Sequence, residues 1–107
     1  MSVRERDVEA YLTGQLRSKL GLACIKFIPD NRNGMPDRQV LLPGGRVLWV
    51  ELKTLGGEPS PIQKLRHEEL KRAGHEVVCV WTKAQADELV ARLAAGLKKG
   101  SIANGEQ

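Results

Sequence analysis

Asp37, Glu51 and Lys53 are the residues of this chain whose types and spacing can do chemistry. They lie in Gly34-Met-Pro-Asp-Arg38 and Val50-Glu-Leu-Lys53, two strand-like segments joined by a hairpin signal at Pro43-Gly44-Gly45. Side chains alternate along a strand, so Glu51 and Lys53 project together with Val47 and Trp49, while Leu48, Val50 and Leu52 face a core. The hairpin returns Asp37 to the strand end that carries Glu51 and Lys53. Carboxylates held that close repel unless a cation neutralises them. Hard oxygen ligands suit Mg²⁺ or Mn²⁺, which keeps several waters and often takes only one or two protein carboxylates plus a substrate phosphate. Such an ion polarises a phosphoryl oxygen and activates a bound water. Lys53 is then placed to hold the attacking water or to offset charge building on phosphorus. Glu9 and Gln63 can position waters around the ion from neighbouring helices.

Each of these residues also has an ordinary structural explanation. Asp37 after Pro36 can simply begin a strand at a turn, and Glu-x-Lys is common on the solvated face of an antiparallel sheet. Ser60-Pro-Ile-Gln63 is itself a capping box, so Gln63 reads equally as a cap and as a site residue. Glu9 falls inside the apolar arc of Val8, Leu12, Leu16 and Leu20, and an unpaired inward carboxylate is costly. It therefore needs a cation, a bound water or a hydrogen-bond donor. His67 and His75 fit no nucleophile or ligand pattern and read as surface or packing residues. Trp49 and Trp81 read as core packing. Lys64, Arg66, Lys71 and Arg72 can follow a phosphate backbone or form the solvated side of their helix.

The elements that must position these groups follow from periodicity and punctuation. Val8, Leu12, Leu16 and Leu20 mark a helix ended by Gly21, with Ser2 and Glu5 as a capping box. Leu22–Ile28 reads as a buried strand, residues 29–34 as a turn-rich loop, and Asp37–Leu42 and Arg46–Lys53 as the hairpin strands. Ser60 caps a second helix with Pro61 at its first position and Ile62, Leu65, Leu70 and Ala73 inward, ending at Gly74. Glu76–Trp81 is a fourth strand. Thr82 and Gln85 open a last helix with Leu89, Val90, Leu93 and Leu97 on its stripe. The order is α-β-β-β-α-β-α over residues 1–97, one domain, followed by a polar, flexible tail at 98–107.

The 107 residues suit one domain, and 41% hydrophobic residues supply one core. Seventeen Lys and Arg against thirteen Asp and Glu leave a charge of +4 and a pI near 9.3, which favours polyanionic partners. No apolar run approaches the roughly 20 residues of a membrane helix, and the charged N-terminus lacks a signal-peptide core. Cys24 and Cys79, far apart in apolar segments, read as reduced thiols of a cytoplasmic protein.

Pro36-Asp37 followed by Glu51-Leu52-Lys53 matches the PD-(D/E)XK nuclease signature. With Gly34-Met-Pro, Ser60-Pro-Ile-Gln63 and Leu70-Lys-Arg-Ala-Gly74 around it, residues 5–95 resemble the VRR-NUC branch, the virus-type replication-repair nuclease domain, in stand-alone form. The resemblance implies a restriction-endonuclease-like α/β core with a mixed central sheet. It also implies a phosphodiesterase acting on DNA, with Mg²⁺ or Mn²⁺ held by Asp37, Glu51 and the Leu52 backbone carbonyl. Lys53 would assist the nucleophile, and Glu9 and Gln63 would complete the site, Glu9 through a metal-bound water. Arg38, Lys64, Arg66 and Lys71 are the expected DNA contacts. Stand-alone members, found in phages and bacteria, are expected to pair into homodimers that cut branched DNA such as four-way junctions in replication, recombination or repair. The alternatives are a non-catalytic DNA-binding or scaffold subunit on the same fold and a restriction-type nuclease acting on plain duplex.

Overall fold

The computed structural model describes residues 4–105, with side chains described for 4–98. Helix α1 (Glu5–Leu20) buries Val8, Leu12 and Leu16, the expected four-residue stripe. Its N-cap is Arg4, whose N–H donates to the Asp7 carboxylate at 3.3 Å. The expected Ser2–Glu5 capping box falls partly outside the described residues, since Ser2 is not among them. Glu5 is the first helical residue, too early to be the third-position partner such a box needs. At the other end Gly21, at φ 66°, sends its N–H to the Arg17 carbonyl, and Leu22 N–H returns to the Leu16 carbonyl. That wrap consumes Leu22, which is one reason strand β1 is only Cys24–Lys26 where the sequence suggested Leu22–Ile28.

Strands β2 (Arg38–Leu42) and β3 (Arg46–Leu52) form the predicted hairpin around a single 3-10 turn at Pro43–Gly45. Helix α2 (Pro61–Arg72) crosses over to β4 (Glu76–Val80), which lies parallel to β3. The sheet order is β1-β2-β3-β4, antiparallel except for the last pair, so the sheet is mixed. Leu48, Val50 and Leu52 join Val40 and Val80 with α1 and with Ala86, Leu89, Val90 and Leu93 of α3 in one core. The opposite face carries Trp49 and Glu51. Helix α3 (Lys83–Gly105) opens on the predicted box: Gln85 N–H donates to Thr82 Oγ1 at 3.1 Å, and Thr82 N–H donates to Gln85 Oε1 at 3.2 Å. It runs on past Leu97, so the backbone of 98–105 is helical where the sequence placed the tail; residues 106–107 lie outside the described ones.

The two loops at one end of the sheet are fastened, not free. Arg66 donates to the Asn33 carbonyl at 2.9 Å and pairs with Glu69, which also pairs with Arg32. Gly34 sits at φ +85°, and a methyl there would come within 2.8 Å of the Ile62 carbonyl oxygen. After Lys53, Gly57 N–H donates to the Thr54 carbonyl at 2.8 Å, and the Trp81 indole N–H donates to the Gly57 carbonyl at 2.7 Å. Gly34→Ala combines backbone strain with a clash against backbone, costing roughly 3 kcal/mol. The expected fall in Tm is on the order of 10–20 °C for a domain this small. Gly44→Ala is the control: φ is +78° but nothing lies within 4 Å, so only the strain remains. Equal melting shifts for the two variants would show that the Ile62 contact contributes nothing.

Candidate active site

Asp37 and Glu51 meet because of register. Arg38 lies across from Val50, so the residues one step outward, Asp37 and Glu51, are neighbours on the same face. Asp37 is fixed at both ends. Its carbonyl accepts from Phe27 N–H at 2.8 Å, and its Oδ2 accepts from Leu52 N–H at 2.8 Å. Glu51 is only 1% exposed. Its Oε2 accepts from Gln63 Nε2 at 3.3 Å, and its Oε1 lies 3.2 Å from His67 Nε2. Burial first, and then the charge and hydrogen bonding of Asp37, push the Glu51 carboxyl up to about 8. Lys53 partly opposes this from the same strand face, its backbone held by a bond from its N–H to the Val80 carbonyl at 3.0 Å.

Helix α1 adds the charge of Glu5 to this neighbourhood. Burial, followed by the charge of Asp37, raises its carboxyl above the usual range, while Lys53 and the Thr54 backbone lower it. Glu9, one turn later, has instead found the partner its position demanded. Its Oε2 accepts from Arg38 Nε at 2.7 Å, while Arg38 Nη1 donates to the Cys24 carbonyl at 2.9 Å.

No family model matches the chain. It is 40% identical over 76 residues to a phage protein named "Putative nuclease p44", from Acyrthosiphon pisum secondary endosymbiont phage 1, an alignment covering 71% of this chain and 81% of that protein. It is also similar to a solved structure of a VRR_NUC domain, with a TM-score of 0.74 and 32% identity, covering 81% of this chain and 94% of that one. The chain belongs to the VRR-NUC family.

The donor set of this VRR-NUC domain suits a hard dication better than a soft one. Among the described residues no group of three or more His, Cys, Asp and Glu side chains is arranged to hold a metal. Two crowded carboxylates, one of them desolvated enough to resist ionising alone, are what a cation keeping much of its water would neutralise. Cys79, across from Glu51 on β4, is half-buried, and burial and then Glu51 push its thiol up, so it stays protonated.

Several expectations change. Glu9 is paired with Arg38, and Glu5, one turn earlier on α1, also feels the charges of Asp37, Lys53 and Glu9. Arg38 and Arg66, expected DNA contacts, also hydrogen-bond within the chain, through Nε and Nη1 in each case. Lys64 is exposed and Lys71 makes a loose 3.7 Å pair with Glu68, so these two remain available to a phosphate backbone. On α2, Ile62 and Leu65 are 39% and 49% exposed, and the buried residue is His67. The helix turns Gln63 and His67 toward the sheet because Glu51 must be met by polar groups there. His75 packs edge-on to Trp49 at 6.1 Å, and Phe27 does so at 5.0 Å, as packing residues would.

Gln63 caps α2 and also reaches Glu51. Its Oε1 accepts from Ser60 N–H at 2.8 Å, its own N–H donates to Ser60 Oγ at 3.2 Å, and its remaining amide nitrogen reaches Glu51. Sequence could have found His67 by the same spacing, since it follows Gln63 by one helical turn.

Proposed function

We propose that this VRR-NUC domain is a Mg²⁺- or Mn²⁺-dependent endonuclease that hydrolyses phosphodiester bonds in DNA, working as a homodimer on branched DNA such as four-way junctions. The reading rests on the meeting of Asp37 and Glu51 at the end of β3, with Lys53 on the same face. The nuclease name carried by the phage relative supports the same class of activity. Asp37, Glu51 and the Leu52 carbonyl would hold the ion, and an α1 carboxylate, Glu9 or Glu5, would bind one of its waters. When bound, the ion supplies Lewis acidity and a lowered pKa for water. Lys53 orients the attacking water and offsets charge arriving on the phosphate oxygens. Lys64 and Lys71 follow the backbone away from the cut. Paired cuts on opposite strands call for two sites related by a twofold axis, which a closed dimer provides.

The deciding experiment incubates the purified protein with Mn²⁺ or EDTA and labelled flap, splayed, duplex and four-way DNA. Metal-dependent products confined to the branched substrates are expected. Discrete bands on plain duplex would make it a restriction-type enzyme. The absence of products with every divalent ion would leave a non-catalytic DNA-binding subunit.

Gln63→Glu separates the two duties of that side chain. Glutamate serves equally well in a capping box, but it withdraws the amide donor and turns a further anion toward Glu51. Cleavage is expected to fall at least about tenfold, with Tm unchanged at pH 5. A Tm loss at pH 5 that accounts for the lost activity would return Gln63 to a purely structural role.

A further inference from the structure

We propose that His67 is a positioning residue, which together with Gln63 grips the Glu51 carboxylate from α2 and sets the orientation in which it meets the dication. The proposal deepens the metal-dependent reading above and rests on it.

His67 Nε2 stands 3.2 Å from one Glu51 oxygen and Gln63 Nε2 stands 3.3 Å from the other, so one helix addresses both ends of the carboxylate. Packing alone does not explain an imidazole there. It is 7% exposed, whereas Ile62 and Leu65 on the same helix lie at 39% and 49%, and either apolar side chain would gain more from the buried seat. Each carboxylate oxygen has two lone pairs, so one contact per oxygen from α2 leaves the other available to an ion. A glutamate has three side-chain torsions to fix, and a grip made before the ion arrives removes that ordering from the binding step. Gln63 is itself held by the Ser60 cap, and α2 is anchored through Arg66 to the loop leading to Asp37. The grip therefore refers Glu51 to the same framework as its partner carboxylate.

The test is Mn²⁺ titration of the full chain by calorimetry, with free Mn²⁺ read independently by electron paramagnetic resonance. Three variants are compared: His67→Gln, whose amide reaches the position of Nε2; His67→Asn, polar but too short; and His67→Leu, apolar. His67→Gln is expected to bind Mn²⁺ within about threefold of wild type, and the other two about 10–100-fold more weakly. In turnover, kcat should fall in that order with KM for DNA unchanged. Should His67→Leu fail to fold, the Gln and Asn pair carries the comparison. Mn²⁺ affinity unaffected in His67→Asn, or lost as far in His67→Gln as in His67→Leu, overturns the proposal. Asp37→Asn belongs in the same titration. Mn²⁺ uptake that depends on Asp37 but not on His67 overturns the positioning role alone, whereas no uptake by wild type removes the metal-dependent reading with it.

Discussion

Asp37→Asn and Lys53→Met are each expected to reduce Mn²⁺-dependent cleavage at least about a hundredfold, the scale on which transition-state charge stabilisation acts, while leaving DNA affinity and folding largely intact. The choice of substitution follows from the structure. Asp37 Oδ2 accepts from Leu52 N–H, so alanine would also leave a backbone donor without its partner. Asparagine keeps an acceptor for that N–H and removes only the charge. Lys53 is held in the sheet through its backbone, and methionine preserves its length and apolar stem. Cleavage time courses, gel-shift affinity and circular dichroism on the same preparations make the comparison. Activity within a few-fold of wild type in either variant would contradict the mechanism, and loss of fold in Asp37→Asn would mean the side chain serves the sheet.

Glu51→Gln is expected to stabilise the metal-free protein while destroying its activity. Glu51 is buried beside Asp37, and its carboxyl rises from an ordinary 4.5 to about 8. The sign follows from proton counting. Below pH 4.5 folded and unfolded chains both carry the proton, and no penalty exists. Between 4.5 and 8 the unfolded chain gives it up and the folded chain keeps it, so stability falls as pH rises, by up to about 1.4 kcal/mol per unit for one group. Glutamine has no proton to lose and can still hydrogen-bond Gln63 and His67. Urea unfolding in EDTA should show the variant close to wild type at pH 4.5 and ahead by roughly a few kcal/mol at pH 8. His67 titrates in the opposite sense, because burial, then Lys71 and Lys53, lower its pKa; it touches Glu51 at 3.2 Å, so the same comparison in a His67→Gln background isolates Glu51. Saturating Mn²⁺ should close the gap by stabilising wild type alone. A pH-independent difference, or a variant weaker than wild type at pH 8, would remove the electrostatic strain from the account.

Local rules made much of the framework legible. The stop at Gly21, the Ser60–Gln63 and Thr82–Gln85 boxes and the Pro43–Gly45 turn are set by neighbours in sequence, and each lies where the sequence placed it. The alternation of β3 told which face was core and which carried Glu51. What failed was the reading of faces on helices that meet the site. Periodicity on α2 turned Ile62 and Leu65 inward, whereas a buried carboxylate across the gap required polar partners, so His67 took the seat. On α1 the inward acid was recognised, but two acids one turn apart share a face, and periodicity cannot say which reaches the sheet end. Glu9 pairs with Arg38, and Glu5 too feels the charge of Asp37. Nor does sequence show that Arg66, among the expected DNA contacts, also bonds the Asn33 carbonyl and Glu69 within the chain.

The ladder between β2 and β3 behaves like a zip with the chemistry at its open mouth and the 3-10 turn at its closed end. Sliding one tooth would swap every residue to the opposite side and send Glu51 into the apolar layer with Leu48 and Val50. Extending the closed end, where Pro43, Gly44 and Gly45 are all solvated, disturbs nothing near the mouth. Descendants of this chain are thus free to grow at that tip, by appended recognition segments or engineered tags, while the pairing beneath it stays locked in step.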